Sequence, residues 1–373
     1  MKNLKILIPI LCMLMISSFI IIGEGKRSLE SYTNVLKKIE GTEIGKIEKL
    51  EIDEVLMDNQ NEVELSVMLL GDVCLATNFG NRNRFHEVYD NKGPEYFFQY
   101  MQEYFNRVDY VIANIENVFT DRKEYQKGKI YTYKATTQYL EVIEKSGITH
   151  LAVVNNHMQD YLQAGFEDSI ALLDKKGIAW FGTNEFTTSN IELGNIKVDK
   201  KEIIDKEGIR VGLLSYYGFN TSYATDETIN RDVTYLKEIE DVDYIICYVH
   251  WGGQGEYTVT QRQKDYGRKL IDFGVDLVVG GHPHVVQKNE VYKGKTIFYS
   301  LGDFMFVAKN PQKDPHGLMV ELKLVKDIDG NIKEKFEYYP VLWGGSEKTN
   351  HYTPKVGSQK DLNSIIDKAG LKK

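Results

Sequence analysis

Short apolar runs alternate with amphipathic stretches between Val63 and Trp343, and this alternation constrains the fold more than any other feature of the chain. Apolar runs bounded by polar or glycine-containing segments are typical of buried strands. The runs predicted as strands are Glu64–Leu70, Tyr110–Ile115, Thr149–Val154, Arg210–Ser215, Tyr244–Val249, Leu277–Val279, Thr296–Ser300 and Leu318–Leu324.

Helical spacing of apolar residues appears in the stretches between these runs. The predicted helices are Pro94–Arg107, Thr137–Lys145, Phe166–Lys176 and Val259–Phe273. Glycines follow the last turns of three of them, where a residue with positive φ commonly ends a helix. Alternating strands and helices predict an α/β domain over residues 64–345, followed by a polar C-terminal tail over residues 346–373.

The first 27 residues differ in composition from this domain. Lys2 and Lys5 precede an uncharged apolar run from Ile6 to Ile22. This run approaches the roughly 20 residues of a spanning helix and exceeds the roughly 7–15 of a cleavable signal. We therefore favour an uncleaved N-terminal anchor over a cleaved signal. The prediction is a single-pass protein of the cell membrane, held in the lipid bilayer by residues 1–27, with residues 28–63 as a stalk and the main domain outside the cytoplasm.

The charge balance argues against one class of partner. The chain has 46 basic and 54 acidic residues, a formal net charge of -8. Nucleic-acid binding proteins usually present a basic surface, so no nucleic acid partner is expected. Cys74 and Cys247 lie in or beside apolar runs, which predicts buried free thiols rather than a disulfide.

Polar side chains with metal-binding or acid–base chemistry follow five of the predicted strands. They are Asp72 in LLGD, Asn114, Glu116 and Asn117 in ANIEN, Asn155, Asn156, His157 and Asp160 in VVNNHMQD, His250 in YVHWGG, and His282 and His284 in VVGGHPH. Each alone has an ordinary explanation as a helix cap, a turn residue or a structural histidine. Ligands bind outside the carboxyl ends of strands in open α/β sheets, so five such groups predict one shared site at the edge of one sheet.

The ligand types indicate the kind of metal. Carboxylate, amide oxygen and imidazole together suit a divalent ion such as Mn, Fe or Zn, and the absence of thiolate pairs argues against a structural zinc site. Two ions about 3.5–4 Å apart would generate a nucleophile and polarise an ester oxygen, which predicts hydrolytic chemistry. Side chains two residues apart in extended chain point the same way, so His282 and His284 are expected on one face of an extended segment.

Six segments together carry a family resemblance. They are GDVCL, ANIENVFT, VVNNHMQDYLQAGFEDSIALLDKKGIAWFGT, YVHWGG, RQKDYGRKLIDFGVDLVVGGHPHVVQ and YSLGDFMF. In this order they resemble the capsule synthesis protein CapA family, also called the poly-γ-glutamate synthesis family, which is similar to the calcineurin-like metallophosphoesterases. The resemblance covers roughly residues 65–306. It implies a four-layer α/β/β/α sandwich of the metallophosphoesterase type.

The resemblance also implies roles for individual residues. The implied metal ligands, for one or two ions with Glu116 as the bridging carboxylate, are Asp72, Glu116, Asn156, His250, His282 and His284. His157 would be the catalytic general acid or transition-state stabiliser. The candidate substrate contacts are Asn114, Asn155, Asp160, Trp251, Glu256 and Asp303.

Departures from the family pattern leave alternatives open. The phosphoesterases usually begin with Asp-x-His, whereas Asp72 is followed by Val73 and Cys74, so the first metal loses a ligand. Gly281 stands where some members carry a further histidine, and Asp303 where they tend to carry asparagine. One metal, two metals, or a site that only binds are all compatible with this sequence.

Two functional hypotheses from different classes follow. The first is a membrane-anchored, metal-dependent hydrolase or transferase of capsule or poly-γ-glutamate biosynthesis, acting on a phosphoester, polymer or lipid-linked substrate. The second is a non-catalytic scaffold that binds an anionic polymer and partners with membrane synthase subunits of a synthase or exporter complex. Basic residues near the cleft would suit such a polymer, and candidates are Arg82, Arg84 and Arg122. The tyrosines that could line a polymer groove are Tyr131, Tyr133, Tyr216 and Tyr217.

Overall fold

The computed structural model describes residues 63–77, 84–184, 198–219, 222–307 and 314–371. The predicted membrane anchor and all but the last residue of the predicted stalk lie outside these ranges, as does Arg82. Within the described ranges, no helix combines the length and the apolar character that crossing a membrane requires. Strand β1 begins at Val63, where the charged N-terminal segment gives way to the apolar run.

The described strands form two large sheets and one small one. The first sheet has the order β18-β17-β16-β1-β2-β5-β6-β7, with β15 pairing beside β1. Its strands are β1 Val63–Cys74, β2 Tyr110–Ile115, β5 His150–Ala152, β6 Ala179–Asn184, β7 Val198–Lys200, β15 Asp303–Phe306, β16 His316–Lys326, β17 Ile332–Leu342 and β18 Lys355–Val356. Strands β1, β2, β5 and β6 are parallel, whereas β16 to β18 continue the sheet in antiparallel fashion.

The second sheet has the order β10-β9-β11-β12-β14-β13, with β8 pairing with β9. Its strands are β8 Glu202–Lys206, β9 Ile209–Phe219, β10 Ser222–Tyr223, β11 Tyr244–Trp251, β12 Leu277–Gly281, β13 Glu290–Tyr292 and β14 Lys295–Phe298. Its central strands β9, β11, β12 and β14 are parallel. The short strands β3 Val118–Phe119 and β4 Lys134–Ala135 pair with each other outside both sheets.

The helices match the predicted stretches to different degrees. They are α1 Phe85–Lys92, α2 Gln102–Phe105, α3 Leu140–Glu144, α4 Leu162–Lys176, α5 Asp226–Thr234, α6 Gln261–Phe273 and α7 Gln359–Ala369. Helix α6 begins at a capping box formed by Thr260 and Gln263 and ends at Gly274 with φ of 110°. The predicted helix over 94–107 is instead a 3₁₀ turn at Pro94–Tyr96 and the short α2. The four aromatic residues from Tyr96 to Tyr100, among them the fully buried Phe97, explain the weak helix, because aromatic side chains favour helices poorly.

Alternating residues of β1 show how the layers pack. Leu65, Val67 and Leu69 join the apolar cluster that lies between the two sheets, whereas Met68 and Leu70 join the cluster under helices α1 to α4. A third cluster packs α5 and α6 against the outer face of the second sheet. The described domain is therefore a mixed α/β fold layered as helices, sheet, sheet and helices.

The segment predicted as a polar tail, residues 346–373, needs correction. It contributes strand β18 to the first sheet and helix α7 to the core. Ser358 and Asp361 form a capping box at the start of α7, and Ile365, Ile366 and Ala369 lie buried in the cluster between the sheets. The polar residues of this segment lie on the exposed side of an amphipathic helix, which is why its composition resembles that of a tail.

Candidate metal centre

The polar residues that follow the strands converge, but they come from two sheets rather than from one. Asp72, Glu116 and Asn156 follow or end strands of the first sheet, whereas His250 and His282 belong to the second. His250 Nε2 lies 2.8 Å from Asn156 Oδ1, and the His282 backbone N–H donates to Asp72 Oδ2 at 2.8 Å. The prediction of a single sheet edge is wrong, because apolar runs do not reveal which strands pair with which.

Glu116 lies at the middle of the converging side chains. Its Oε1 atom is 3.6 Å from His157 Nε2, 3.8 Å from His250 Nε2 and 3.7 Å from His284 Nε2. Donor atoms of Glu116, His250 and His282 all lie within 4.8 Å of one another. Two ligands each about 2.1 Å from one ion are separated by about 3–3.5 Å, so this group fits a divalent cation after a small contraction.

A second group of donors surrounds Asp72. Donor atoms of Asp72, His284 and Asp303 lie within 4.8 Å of one another, and all three residues are buried. His284 Nδ1 is 2.7 Å from Asp303 Oδ1. Asn114 Nδ2 donates to Asp72 Oδ1 at 2.7 Å and so fixes the orientation of this carboxylate. Asp303, predicted as a substrate contact, is therefore placed as a candidate metal ligand.

Cys74, which stands where the phosphoesterase pattern has histidine, does not belong to either donor group. Its side chain packs in a small buried cluster with Ala76, Tyr133, Phe306 and Trp343. The missing histidine ligand is thus not replaced by this thiol. A carboxylate from β15, Asp303, stands in the group of Asp72 instead.

The histidine pair does not adopt the extended conformation expected from its spacing. His282 has φ of 90° and His284 has φ of 57°, both in the region that non-glycine residues rarely adopt. Such conformations cost about 1–3 kcal/mol each and persist where the surroundings determine them. The imidazole rings lie 5.7 Å apart between centroids, and each ring belongs to a different donor group.

Burial controls the charge of these groups. Removal from water, reinforced by the nearby His282 and His284, lowers the pKa of His250 well below its ordinary value, so its imidazole is neutral and able to ligate. Asp72, Glu116 and Asp303 are 0–2% exposed. Buried carboxylates at this density are stable when they are paired or coordinate a metal. The donor set therefore fits a divalent cation.

His157 is held by residues on three sides. Its Nδ1 atom lies 2.5 Å from Asp160 Oδ2, and the ring of Tyr133 stacks on its ring at a centroid distance of 3.8 Å. Its Nε2 atom faces Glu116. This arrangement leaves Nε2 as the atom directed at the donor groups, which suits proton transfer or stabilisation of a reacting oxygen.

Asp160 is fully buried behind His157, which it contacts directly, and its predicted role as a substrate contact stays a prediction. Its Oδ1 atom accepts from Lys129 Nζ at 2.5 Å, and its Oδ2 atom accepts from the backbone N–H of Tyr133. Lys129 also donates to the backbone carbonyl of Asn156. The sequence reasoning missed Lys129 and assigned Tyr133 only to a polymer groove. The basic and aromatic stretch KGKIYTYK between β3 and β4 was the available signal.

Two predicted substrate contacts are instead supports for other side chains. Asn155 Nδ2 donates to Asn114 Oδ1 at 3.2 Å and to the carbonyl of Ile115 at 2.7 Å, while Asn155 Oδ1 accepts from the His157 backbone N–H. Asn114 in turn orients Asp72 and lies 3.4 Å from His250 Nδ1. Both asparagines are at most 5% exposed, so they connect the strands beneath the centre.

The remaining candidates lie away from the donor groups or at their rim. Trp251 is fully buried against Tyr299, whose carbonyl accepts from its Nε1 at 2.7 Å, because alternate residues of β11 face opposite sides of the sheet. Glu256 is exposed in a loop whose Gly255 N–H donates to the carbonyl of Pro283. Tyr216 and Tyr217, predicted to line a polymer groove, are fully buried and line no surface groove.

The two described arginines that were predicted to form a positive patch are each paired with a carboxylate. The exposed Arg84 forms an ion pair with Glu87, and the exposed Arg122 forms one with Asp168.

The fold and these clusters define a mixed α/β protein with a candidate divalent-metal centre between two sheets. The family model described as bacterial capsule synthesis protein PGA_cap matches residues 66–308. The match covers more than half of the chain, and the chain therefore belongs to this family.

Known proteins with similar sequences have related descriptions. The capsule biosynthesis protein CapA of Bacillus anthracis is 31% identical over 270 residues, which cover 66% of this chain and 61% of that protein. The PGA biosynthesis protein CapA of Bacillus subtilis is 29% identical over 294 residues, covering 74% and 71% respectively. Among solved structures, a putative 5′-nucleotidase from Staphylococcus aureus has a TM-score of 0.45 at 14% identity, covering 82% of this chain and 58% of that chain.

Proposed function

We propose that this protein acts at the cell envelope in capsule or poly-γ-glutamate biosynthesis, as a metal-dependent hydrolase or transferase of the phosphoesterase type. The observation that carries the proposal is the pair of buried donor groups, Glu116 with His250 and His282, and Asp72 with His284 and Asp303. Family membership and the descriptions of the Bacillus relatives support the biological setting.

One or two divalent ions, Mn, Fe or Zn, suit these mixed oxygen and imidazole donors. Besides the two donor groups, Asn156 offers an amide oxygen, Oδ1, beside His250. When bound, such ions lower the pKa of water and polarise a phosphoryl oxygen. This chemistry is the reason for proposing hydrolysis or transfer at a phosphoester.

The protein's own side chains contribute orientation and proton transfer. Asp160 holds His157 through Nδ1, so that Nε2 is available to donate a proton to a leaving oxygen or to stabilise developing negative charge. The stacked ring of Tyr133 limits rotation of the imidazole. Asn114 keeps the carboxylate of Asp72 turned toward the second sheet.

The membrane setting is part of the proposal. Residues 1–27 would anchor the chain in the bilayer as a single pass, with the described domain outside the cytoplasm and residues 28–63 as a spacer. Membrane synthase subunits of a capsule or poly-γ-glutamate complex are the proposed protein partners, and an anionic polymer or a phosphoester is the proposed substrate.

The metal content of the purified full-length protein tests the metal centre directly. We expect bound divalent metal in the wild type and at least about tenfold weaker binding in the Asp72→Ala and His282→Ala variants, because each removes a direct ligand. His86→Ala removes an exposed histidine of α1 and serves as the matched control. A wild type that holds no more metal than both ligand variants would contradict the proposal.

Turnover of a generic phosphodiester with added Mn tests the catalytic step separately. We expect metal-dependent turnover that the Asp72→Ala variant lacks. Bound metal without turnover of any phosphoester would favour the second candidate function, a scaffold that binds polymer without cleaving it. The replacement of the expected histidine by Cys74, which packs in an apolar cluster, is the observation that keeps this alternative in view.

A further inference from the structure

A strongly basic loop lies beside the candidate metal centre. It runs from Arg122, after β3, to Lys134, the first residue of β4, and we call it the basic–aromatic loop. Its 13 residues include five basic residues and one acidic residue, Glu124, which makes a local net charge of +4 in a chain whose net charge is -8. A positive segment in an acidic protein marks a place where an anionic ligand is attracted.

The inner part of this loop is fastened to the metal centre. Lys129 donates to Asp160 and to the carbonyl of Asn156, and the Tyr133 ring stacks on His157. The backbone N–H of Tyr133 also donates to Asp160. The outer part of the loop is therefore separated by only a few residues from Lys129 and Tyr133, which contact the side chains of the candidate metal centre.

The outer part of the loop exposes both charge and apolar surface. Ile130 is 87% exposed, Tyr131 is 58% exposed and Tyr125 is 52% exposed. Lys123 and Lys127, two residues before and after Tyr125 in the sequence, are also exposed. Arg122 is paired with Asp168, and Lys134 donates to the carbonyl of Arg122, so these two cations serve the loop itself. Three large exposed apolar side chains within one short segment make this loop a candidate binding surface.

We propose that the outer face of the basic–aromatic loop, formed by Lys123, Tyr125, Lys127, Ile130 and Tyr131, docks a carboxylate-bearing polymer chain and delivers it to the metal centre. This inference rests on the proposed function and adds a binding surface to it. Carboxylates at regular intervals would contact the two lysines, and the methylene groups between them would pack on Ile130 and the tyrosines.

Multivalency explains why a polymer fits this surface better than a small anion. One exposed ion pair contributes little to affinity because water screens it, so a single carboxylate gains little from Lys123 or Lys127. Once a polymer has bound one lysine, its contact with the other lysine forms within the same complex, which raises the overall affinity. The attachment of the loop to Asp160 and His157 favours a polymer over a membrane surface, because a polymer bound on the outer part of the loop can continue past Lys129 toward the candidate metal centre.

Binding of fluorescently labelled γ-linked polyglutamate to the full-length protein tests the proposal. We expect Lys123→Gln/Lys127→Gln to weaken binding by about three- to tenfold at low salt, because two exposed charge contacts are lost. Affinity of the wild type should fall more steeply with added salt than that of this double variant. Ile130→Ser/Tyr131→Ser should weaken binding while leaving the salt dependence unchanged.

Lys333→Gln/Lys335→Gln is the matched control, since it changes the net charge equally on exposed lysines of β17. These residues align across β16 with Glu64 and Ser66 at the start of β1, which lie eight and six residues, or about 20–27 Å along the strand, from Asp72. Equal weakening by the control and loop variants would overturn the proposal, since net charge alone would then explain the binding. Binding to phosphatidylglycerol vesicles but not to soluble polyglutamate would also overturn it, in favour of a membrane contact.

The two proposals fail in distinguishable ways. Unchanged polyglutamate binding by the loop variants, in a protein that binds metal and turns over a phosphodiester, contradicts the docking surface alone. Weakened binding by the loop variants in a protein without metal or turnover supports the docking surface and contradicts the catalytic proposal. Polyglutamate binding by the His282→Ala variant is expected to persist, because the loop face does not include that residue.

Discussion

The neighbours of His157 fix the orientation of its imidazole ring. Asp160 fixes one ring nitrogen, Tyr133 covers one ring face, and the other nitrogen faces Glu116. Lys129 neutralises Asp160 from the far side at 2.5 Å. The imidazole therefore has one orientation in which it can exchange a proton at the donor groups.

We predict that His157→Ala lowers kcat for a phosphodiester by about 10²–10⁴-fold while the bound metal is retained, because the ring contributes proton transfer rather than ligation. Turnover and metal content measured on the same preparation check this. Activity close to that of the wild type would remove His157 from the mechanism. Loss of metal together with activity would identify it as a ligand instead.

Gly281 has a steric role that its sequence position does not reveal. A Cβ atom at this position would lie 2.4 Å from Asp72 Oδ1, far inside contact distance. We predict that Gly281→Ala displaces the Asp72 carboxylate and weakens metal binding by about 10–100-fold, as loss of ligand orientation does elsewhere.

The measurement for this variant is a metal titration by calorimetry. Gly294→Ala is the control for backbone strain, because Gly294 has φ of 77° but a Cβ atom there meets no neighbouring atom, and Asp72 is distant in sequence and in sheet order. We expect this variant to lose some stability but to keep the metal affinity of the wild type. Wild-type metal affinity in Gly281→Ala would show that the carboxylate of Asp72 is not needed in its observed position.

At the scale of elements, helix α7 packs the C-terminal segment against the core between the two sheets. Ile365 is 1% exposed and lies in the cluster between the two sheets. We predict that Ile365→Ala lowers the free energy of unfolding by about 2–5 kcal/mol, through lost burial and the cavity that remains. Urea denaturation checks this, with the exposed Lys360→Ala of the same helix as the control. Equal stability of both variants would mean that α7 is not docked as described.

Several elements follow from the sequence, and the exceptions have physical reasons. Each of the eight predicted strands overlaps an observed one, and β2 has the predicted bounds Tyr110–Ile115. Strand β17, Ile332–Leu342, was missed because four of its first six residues are charged and only two of its eleven residues are buried, so it has no apolar run. Helix α1 was missed because its eight residues contain only a few apolar positions, among them the buried Phe85 and Tyr89.

At the scale of the whole molecule, His316 joins the start of β16 to helix α7. Its Nδ1 atom lies 3.6 Å from Asp314 Oδ1, and its Nε2 atom lies 3.3 Å from Asp361 Oδ1. The nearby carboxylate of Asp314, together with that of Asp361, raises the pKa of His316 above its ordinary value of 6.5. Burial raises the pKa of Asp314, but His316, Lys368 and Tyr257 together outweigh it and lower this pKa below its ordinary value of 3.8.

We predict a pH-dependent stability from this junction. A raised histidine pKa stabilises the fold fully below about pH 6.5 and loses that contribution as pH rises through the folded value. The lowered carboxyl pKa stabilises the fold above about pH 3.8 and loses its contribution on further acidification. The unfolding free energy of the wild type relative to His316→Gln should therefore be largest between these limits. A difference that stays constant from pH 5 to pH 9 would contradict the assigned charge of His316.

The sequence by itself determined the α/β class, eight of the eighteen described strands and the polar residues that converge at the candidate metal centre. These features depend on local patterns, since apolar periodicity and strand-end polar residues are read within a few positions of one another. All six implied ligands and His157 lie at the converging strand ends. The proposed roles of these residues in metal binding and catalysis stay predictions for the experiments above.

The tertiary structure alone decided how these residues are grouped. It placed β1, β2 and β5 in one sheet and β11 and β12 in another, it assigned His282 and His284 to different donor groups, and it set Asp303 beside Asp72. It also placed Lys129 and Tyr133 against Asp160 and His157. These outcomes depend on strand pairing and on contacts between residues far apart in the chain, which local periodicity does not encode.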